Sequence, residues 1–175
     1  MADNTIMLTD YIRDIEDFPR EGILFKDITP LLAHPEGFAA SIAAICEPFA
    51  GERIDYVAAV EARGFIFGSV VAQKLGTGFI PIRKPGKLPH YTESVTYDLE
   101  YGSDTIEVHR DAIETGSRVL MVDDLLATGG TMAAAGKLVE QLGGKIIGFT
   151  CLIELTVLEG RKKLGNYPIH AVISY

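Results

Sequence analysis

The feature that most constrains the fold is a repeated order of short apolar runs and helix-like segments. The run RVLMVDD (118–124) ends at two acids and is followed, after a short turn, by GGTMAAAGKLVEQLG. The same order recurs in IDYVAAVEARG (54–64) and GFIFGSVVAQKLG, and further strand-like segments are GFIPIRK, KIIGFTCLIEL and HAVISY. Alternation of strands and helices predicts an α/β fold in which helices cover both faces of a parallel sheet.

Three polar clusters follow strand-like runs. They are EARG (61–64), RKPGK (83–87) and DDLLATGGT (123–131). Ligands of open α/β sheets bind beyond the carboxyl ends of the strands, and all three clusters fall at such ends. The sequence therefore predicts one binding site that all three clusters form.

The remaining segments predict smaller elements. Apolar spacing predicts helices over residues 8–18 and 35–49, and a short helix over 159–164. The stretch GILFKDITP (22–30) predicts a short extended segment closed by proline. Residues 84–103 begin with Pro and Gly and continue with the alternating run TESVTYDLEYG, which predicts a long excursion with its own hairpin. Loops of this length are usually functional or mobile.

Composition narrows the function classes. A chain of 175 residues with 47% hydrophobic residues suits one compact domain. The net charge of −8 argues against nucleic-acid binding, although Gly78–Tyr91 contains no acid and several basic residues. This basic island fits a small polyanionic ligand or a solvated loop. We expect neither a signal peptide nor a membrane span, and we expect Cys46 and Cys151 to be buried free thiols of a cytoplasmic protein.

The small residues after Leu126 predict an anion site. Ala127–Thr131 lead directly into a helix, so backbone N–H groups and the positive end of the helix dipole can face an anion, and the threonine hydroxyls add donors. The segment has neither the GxxxxGK[ST] nor the GxGxxG pattern. A tight turn capped by threonine is the alternative interpretation.

Asp123 and Asp124 precede this turn by several residues, so they need not contact an anion bound there. A carboxylate only accepts hydrogen bonds, so its partners are hydroxyl groups or a divalent cation. The vicinal hydroxyls of a phosphorylated sugar fit this spacing. A magnesium site like that of receiver domains is an alternative, and a phosphatase nucleophile would require a spaced pair of acids.

The segment VLMVDDLLATGGT resembles the phosphoribosyl-diphosphate binding motif of type I phosphoribosyltransferases. The segments EARGF, RKPGKLP, LEYG and DDLLATGGT, in this order, are similar to the adenine-using branch of that family, and the resemblance extends from residue 17 to the C-terminal strand. It implies one domain over residues 1–175, with a parallel sheet flanked by helices, an N-terminal hood (1–33) and a flexible, mobile catalytic hairpin loop (84–103).

The resemblance assigns each cluster to one part of the ligand. It implies that Asp123 and Asp124 bind the ribose hydroxyls. The residues implied to bind the 5-phosphate are Ala127, Thr128, Gly129, Gly130 and Thr131. Those implied to bind the diphosphate are Glu61, Ala62, Arg63, Gly64, Arg83, Lys84 and Lys87. Family members often hold a non-trans peptide in the loop corresponding to 61–64. The implied cofactor is Mg²⁺, held by substrate oxygens and water rather than by direct protein ligands.

The resemblance also implies a catalytic pair and a base site. Glu100 is expected to exchange a proton with the purine ring, and Tyr101 to order or shield the closed site; without the resemblance, Glu100 is an ordinary hairpin residue. The residues expected to bind adenine are Leu24, Phe25 and Lys26, through backbone groups and stacking by Phe25, with Leu126 covering the opposite face. A strand residue such as Phe25 can equally be a core residue, and both interpretations stay open.

The implied function is Mg²⁺-dependent transfer of the 5-phosphoribosyl group from phosphoribosyl diphosphate to adenine. The products are AMP and diphosphate, and the setting is purine salvage in a cytoplasmic homodimer without a nucleic-acid or membrane partner. One alternative is a regulatory protein that keeps the site but controls transcription, against which the net charge of −8 and the presence of Glu100 argue. Another is a transferase for xanthine, hypoxanthine or orotate, but EARGF and LEYG favour adenine.

Overall fold

The structure of the chain is a computed structural model that describes residues 6–98 and 102–175. Its internal contacts form two compact units, Met1–Ala44 and Ile45–Tyr175. The hood expected over residues 1–33 lies within the first unit, and the three polar clusters all lie within the second. In the described part of the chain, no helix has both the length and the apolar character needed to cross a membrane.

The first unit contains a small antiparallel pair of strands, β1 (Arg13–Ile15) and β2 (Phe25–Asp27). A 3₁₀ helix (Leu8–Tyr11) precedes them, α1 (Thr29–Ala33) follows, and α2 (Pro35–Cys46) begins in this unit. The extended segment ends at Asp27 rather than at a proline, because Pro30 lies in the first turn of α1, where proline is tolerated.

The helix predicted over residues 8–18 is wrong. Only the 3₁₀ turn forms, and the chain is then extended from Ile12 into β1. Pairing with β2 outweighs the helical spacing, because the Arg13 guanidinium donates two hydrogen bonds to Asp27, at 2.8 and 3.0 Å. Local spacing over so short a window is weaker than a tertiary strand partner.

The second unit contains a five-stranded sheet and a hairpin. In chain order its longer elements are β3 (Tyr56–Val60), α3 (Arg63–Leu75), β4 (Gly78–Ile82), β5 (Thr92–Asp98), β6 (Ser103–His109), β7 (Arg118–Leu126), α4 (Gly130–Gln141), β8 (Lys145–Glu154) and β9 (Ile169–Ser174). Its 3₁₀ helices are Glu47–Phe49, Thr156–Leu158 and Gly160–Lys163. The sheet order is β4-β3-β7-β8-β9 and every pairing is parallel, which confirms the predicted α/β fold.

Alternating strand residues divide the packing between the two faces of the sheet. Ala58 and Val60 of β3 belong to the hydrophobic core that contains residues of α4 and of the β5–β6 hairpin. Ala59 points to α3, where a Cβ on Gly68 would lie only 2.6 Å from its methyl carbon. The helix α3 therefore covers one face, and α4 with the hairpin covers the other.

The predicted excursion does contain a hairpin, in which β5 and β6 pair antiparallel along their whole lengths. Its strands extend beyond the predicted end at 103, to His109. The hairpin is attached to the end of β4 by two backbone hydrogen bonds between Arg83 and Glu107, at 2.7 and 2.8 Å. The predicted catalytic residues Glu100 and Tyr101 lie outside the described residues.

Candidate functional site

The three polar clusters meet at one edge of the sheet, as predicted. Glu61 directly follows β3, Arg83 directly follows β4, and Asp123 and Asp124 lie near the end of β7. These three strands are adjacent and parallel, so their carboxyl ends are neighbours. Residues from separate parts of the sequence are thereby brought into one site.

The turn between β7 and α4 has the shape of an anion site. Gly129 is buried, has φ of +77° and caps the N-terminus of α4, which is 12 residues long. A cavity of about 110 Å³ lies at this turn and is lined by Asp123 and by residues 125–132. The backbone N–H groups at the start of α4 have no partner within the helix, so they are the donors that an anion in this cavity would meet.

Gly160, which the sequence interpretation missed, packs its backbone directly against this turn. A Cβ on Gly160 would lie 2.2 Å from the carbonyl oxygen of Ala127, and a Cβ on Gly129 would lie 2.3 Å from the carbonyl oxygen of Gly160. The two backbones can approach so closely only because both residues are glycine. No local sequence pattern signals this contact, because the two segments are separated by α4 and β8.

An ion pair holds the Gly160 segment in place. Arg161 donates two hydrogen bonds to the buried carboxylate of Glu154, at 2.6 and 2.7 Å, and a third to the carbonyl oxygen of Ile169 at 3.0 Å. A bidentate pair of this kind fixes both position and orientation. The backbone of β8 and of the following segment thus supports the anion turn.

The acid pair lies against the loop that follows β3. Asp123 Oδ1 accepts a hydrogen bond from the backbone N–H of Asp124 at 2.9 Å, and a Cβ on Gly64 would lie 2.8 Å from that same oxygen. The Arg63 guanidinium lies 2.7 Å from Asp124 Oδ2 as an ion pair. The structure therefore pairs a residue predicted to bind diphosphate with one predicted to bind ribose.

Burial makes both acids harder to ionise. It raises the pKa of Asp123 well above its ordinary value, and the neighbouring charge of Asp124 raises it further. Burial also raises the pKa of Asp124, although the Arg63 guanidinium opposes this shift. Hydrogen bonds from hydroxyl groups of a ligand would favour the ionised forms, because such bonds stabilise a carboxylate.

Glu61 organises the residues after β4. Its carboxylate accepts two hydrogen bonds from Arg83, both at 3.2 Å, and one from the backbone N–H of Lys84 at 2.7 Å. Burial raises the pKa of Glu61, but the Lys84 N–H and the Arg83 guanidinium outweigh burial and lower it. The peptide bond between Glu61 and Ala62 is cis, and Ala62 is exposed.

The hairpin contributes further polar partners. Lys84 forms an ion pair with Asp104 of β6, and this contact raises the pKa of Lys84 and lowers that of Asp104. The Tyr97 hydroxyl of β5 lies 3.1 Å from Thr131 Oγ1, on the turn side of the site. The fourth predicted diphosphate-binding cation, Lys87, is exposed, and its carbonyl oxygen accepts a hydrogen bond from Arg83 at 3.3 Å.

The residues predicted to bind the base are divided between the two units. Leu24, Phe25 and Lys26 belong to the first unit, in which Leu24 is exposed and Lys26 is buried and paired with Asp14 at 2.7 Å. The Phe25 ring is edge-on to Phe18, with centroids 5.0 Å apart. In the second unit, Leu126 is a buried core residue that also lines the cavity at the anion turn.

Two further observations bear on the choice of site. A wider cavity of about 530 Å³ lies at the opposite end of the sheet, among residues that precede β3, β4 and β7. Ligands of parallel sheets bind at the carboxyl ends, so the smaller cavity is the candidate site. Within residues 6–98 and 102–175, no group of three or more His, Cys, Asp or Glu side chains is placed to hold a metal ion.

A glycine turn before a helix, two acids and a group of cations at one sheet edge are typical of proteins that bind a phosphorylated sugar. The family of the phosphoribosyl transferase domain matches residues 27–170. An adenine phosphoribosyltransferase of Clostridium perfringens is 58% identical over 168 residues, which are 96% of this chain and 98% of that protein.

Solved structures agree with this match. The crystal structure of adenine phosphoribosyltransferase from Thermoanaerobacter pseudethanolicus has a TM-score of 0.94 and 52% identity, covering 96% of this chain and 98% of that one. The Saccharomyces cerevisiae enzyme, complexed with an imino-altritol bisphosphate and adenine, has a TM-score of 0.89 and 44% identity, covering 94% and 96%. The chain therefore belongs to the phosphoribosyl transferase domain family and, within it, to the adenine phosphoribosyltransferases, which are pentosyltransferases.

Proposed function

We propose that the chain transfers the 5-phosphoribosyl group of phosphoribosyl diphosphate to adenine, giving AMP and diphosphate. The observation that carries this proposal is the meeting of a glycine turn, two acids and three cations at one sheet edge. The full-length similarity to adenine phosphoribosyltransferases supports adenine as the acceptor. The yeast relative with a sugar bisphosphate analogue and adenine supports the pairing of these two ligand classes in such a site.

The proposed roles follow from the charges that develop during the reaction. Displacement at an anomeric carbon passes through an oxocarbenium-like state, so positive charge builds on ribose and negative charge on the leaving diphosphate. The carboxylates of Asp123 and Asp124, near the ribose, suit the positive charge. Arg63, Arg83 and Lys84 suit the negative charge, because fixed cations stabilise an anion that forms beside them.

When the ligand binds, the cations of the site can exchange their acid partners for the ligand. Arg63 lies against Asp124, and Arg83 against Glu61. A diphosphate bound at these cations takes over part of their pairing, while ribose hydroxyls donate to Asp123 and Asp124. The acids therefore keep compensating partners throughout binding, as buried charges require.

Mg²⁺ is the proposed cofactor, and the residues present fit it. Asp124 Oδ2 is buried and lies 2.7 Å from the Arg63 guanidinium as an ion pair, so the two acids suit hydroxyl and water donors around the ion rather than direct ligation. Hard oxygen donors suit Mg²⁺, which retains water and substrate ligands. When bound, Mg²⁺ supplies charge neutralisation for the leaving diphosphate. Asp123 and Asp124 would hold it indirectly, through substrate and water rather than as direct ligands.

The residues proposed to act on adenine are those that the resemblance to the family implies. Glu100 is proposed to exchange the proton of the purine ring, with Tyr101 shielding the closed site. Leu24, Phe25 and Lys26 are proposed to bind adenine, with Leu126 on its other face. Excluding water during transfer prevents hydrolysis of the activated sugar.

We also propose a cytoplasmic homodimer that acts in purine salvage. The dimer is what the resemblance to the family implies. The buried free thiols of Cys46 and Cys151 support a reducing compartment. Light scattering after size-exclusion chromatography tests the dimer, and a mass equal to one chain would exclude it.

The direct test is nucleotide formation. Purified protein is incubated with Mg²⁺, phosphoribosyl diphosphate and one nucleobase at a time, with adenine, hypoxanthine, xanthine and orotate in parallel. We expect AMP from adenine and diphosphate in equal amount, and much less product from the other bases. No AMP would exclude the proposed function, and a preferred base other than adenine would correct the acceptor. Addition of a chelator should abolish the product if Mg²⁺ is required.

A further inference from the structure

Tyr97 joins the hairpin to the anion turn. Its hydroxyl lies 3.1 Å from Thr131 Oγ1, a distance at which either group can donate. Its ring packs against the hydrophobic core, and a Cβ on Gly130 would lie 3.7 Å from a carbon of that ring. The ring therefore covers the start of α4, and the hydroxyl reaches the second residue of this helix.

The surroundings of Tyr97 offer its proton two acceptors. The phenol has one proton, and its other neighbour, Asp104 Oδ2, is 3.5 Å away, at the limit of a hydrogen bond. Asp104 is already paired with Lys84. Burial raises the pKa of Tyr97, so the phenol stays protonated at neutral pH. Without a ligand, Thr131 can donate to the Tyr97 oxygen while Tyr97 donates to Asp104 Oδ2. When a bound phosphate, a stronger acceptor, takes the Thr131 proton, the 3.1 Å contact lets Tyr97 donate to Thr131 Oγ1 instead.

This donation decides where the Thr131 proton can go. If Thr131 Oγ1 accepts from Tyr97, its own O–H is turned away from Tyr97 and is available to an anion in the turn. We propose that Tyr97 is a positioning residue that orients the Thr131 hydroxyl toward the bound 5-phosphate and couples this site to the β5–β6 hairpin. The inference rests on the proposed function only in naming the anion as the 5-phosphate of a ribose.

The test uses Tyr97→Phe, which keeps the ring and removes the hydroxyl. We expect the KM for phosphoribosyl diphosphate to rise about three- to tenfold, the effect of losing one oriented hydrogen bond, with a smaller change in kcat. Hydrogen exchange at residues 92–98 and 102–109 supplies a second readout. Saturating ribose 5-phosphate should slow this exchange in the wild type and not in Tyr97→Phe. A structural role alone would change exchange without ligand but would not remove the ligand-dependent difference.

The matched control is Thr96→Val on the same strand. Thr96 Oγ1 lies 2.8 Å from Thr105 Oγ1, so this variant also removes one cross-hairpin hydrogen bond, but on an exposed part of the hairpin. We expect wild-type KM and wild-type protection by ribose 5-phosphate. If Thr96→Val matches Tyr97→Phe in both readouts, general weakening of the hairpin explains the effect and the inference is overturned.

A double-mutant cycle with Thr131→Val tests the route of coupling. Because Tyr97 acts through Thr131, the double variant should bind ribose 5-phosphate as Thr131→Val does, so the two effects should not add. Additive effects, or wild-type behaviour of Tyr97→Phe, would overturn the inference.

If Tyr97→Phe fails to fold, hydrogen exchange in Thr131→Val alone tests the inference. Hairpin protection that persists in it at saturating ribose 5-phosphate would overturn the inference, and loss of protection would support it. The exchange measurement requires no turnover. If the wild type makes no AMP, the proposed function is excluded, but the coupling between the turn and the hairpin can still be measured.

Discussion

The two ends of the candidate site are built in different ways. The glycine turn at residues 127–131 contains no charged side chain, and its shape comes from the left-handed Gly129 and from close contact with Gly160. The opposite end is made of cations, and Arg63, Arg83 and Lys84 each contact an acid of the chain. One end is prepared by backbone shape, and the other holds its charges in internal pairs.

This difference separates two sources of binding free energy. Backbone donors that are already oriented need little rearrangement when an anion binds. Cations in ion pairs must share or exchange partners, so part of their attraction for the ligand offsets the loss of those pairs. Substitutions that add bulk should therefore weaken ligand binding most at the turn. Substitutions that remove a charge at the opposite end should change stability in a pH-dependent way.

The largest effect is expected for Gly129→Ala. The new methyl group would lie 2.3 Å from the Gly160 carbonyl oxygen, at a residue with φ of +77°. Strain and collision together should cost about 3 kcal/mol in binding of phosphoribosyl diphosphate, or roughly a hundredfold in kcat/KM. Steady-state kinetics and thermal unfolding measure the two contributions.

Gly76→Ala is the control for backbone strain alone. Gly76 has φ of +69° at the end of α3, with no atom within 4 Å of an added Cβ. It should lower stability by about 1 kcal/mol and leave KM unchanged. Equal loss of kcat/KM in both variants would show that the contact with Gly160 is unimportant.

An intermediate effect is expected for Arg63→Gln at the cationic end. It leaves the buried Asp124 without its cation and should lower the free energy of unfolding by about 1–3 kcal/mol near neutral pH. The lower part of this range is favoured because the Arg63 side chain retains 33% exposure. Chemical denaturation at a series of pH values measures the loss.

The pH dependence of this loss identifies Asp124 as its source. The pKa of Asp124 is already raised in the folded protein, and loss of Arg63 raises it further. Loss of Arg63 raises the folded-state pKa beyond its already raised wild-type value, so the variant loses stability relative to wild type as pH rises through that raised wild-type pKa, which lies above the ordinary carboxyl value of about 4. Recovery of stability toward acidic pH is expected, and a loss independent of pH would contradict the assignment.

Arg83→Gln provides a comparison in a different pH window. The pKa of Glu61 is lowered, and the Lys84 N–H remains to stabilise its carboxylate in the variant. The stability that Glu61 contributes is present above its ordinary pKa and is lost as pH falls through the lowered value. The difference between Arg83→Gln and wild type should therefore be constant above about pH 5.

The smallest effect is expected for Lys84→Met. The Lys84–Asp104 pair is exposed, with 52% of the lysine side chain accessible, so its loss should change stability by less than about 1 kcal/mol. Loss of a diphosphate cation should raise the KM for phosphoribosyl diphosphate about three- to tenfold.

Asp104→Asn separates the two roles of Lys84, because it removes the same pair but keeps the cation. Its KM should equal or fall below that of wild type, since Lys84 no longer has to exchange partners. If the KM rises equally in both variants, Lys84 acts through the hairpin and not on the ligand.

The sequence predicts the sheet and the location of the site because both depend on local patterns. Apolar runs that end in polar clusters define the strands and their carboxyl ends, and small residues before a helix define the turn. The internal partners could not be predicted. Which acid faces Arg63 or Lys84 depends on residues far along the chain, as does the contact between Gly129 and Gly160.

The wrong helix over residues 8–18 has the same physical origin. The apolar spacing of this segment is compatible with a helix, but the decisive interaction is the pairing of β1 with β2, which starts ten residues after β1 ends. Leu125, which the sequence interpretation did not name, lines the cavity at the turn together with Leu126.

The glycines of the site differ in whether a second mutation can rescue a first. An added methyl group at Gly64 would meet the side chain of Asp123, so a smaller residue at position 123 would make room for it. At Gly129 and Gly160 the obstacles are main-chain atoms, which every amino acid carries. In a pairwise mutational library, positions 64 and 123 should therefore show positive epistasis, whereas positions 129 and 160 should remain intolerant in every genetic background.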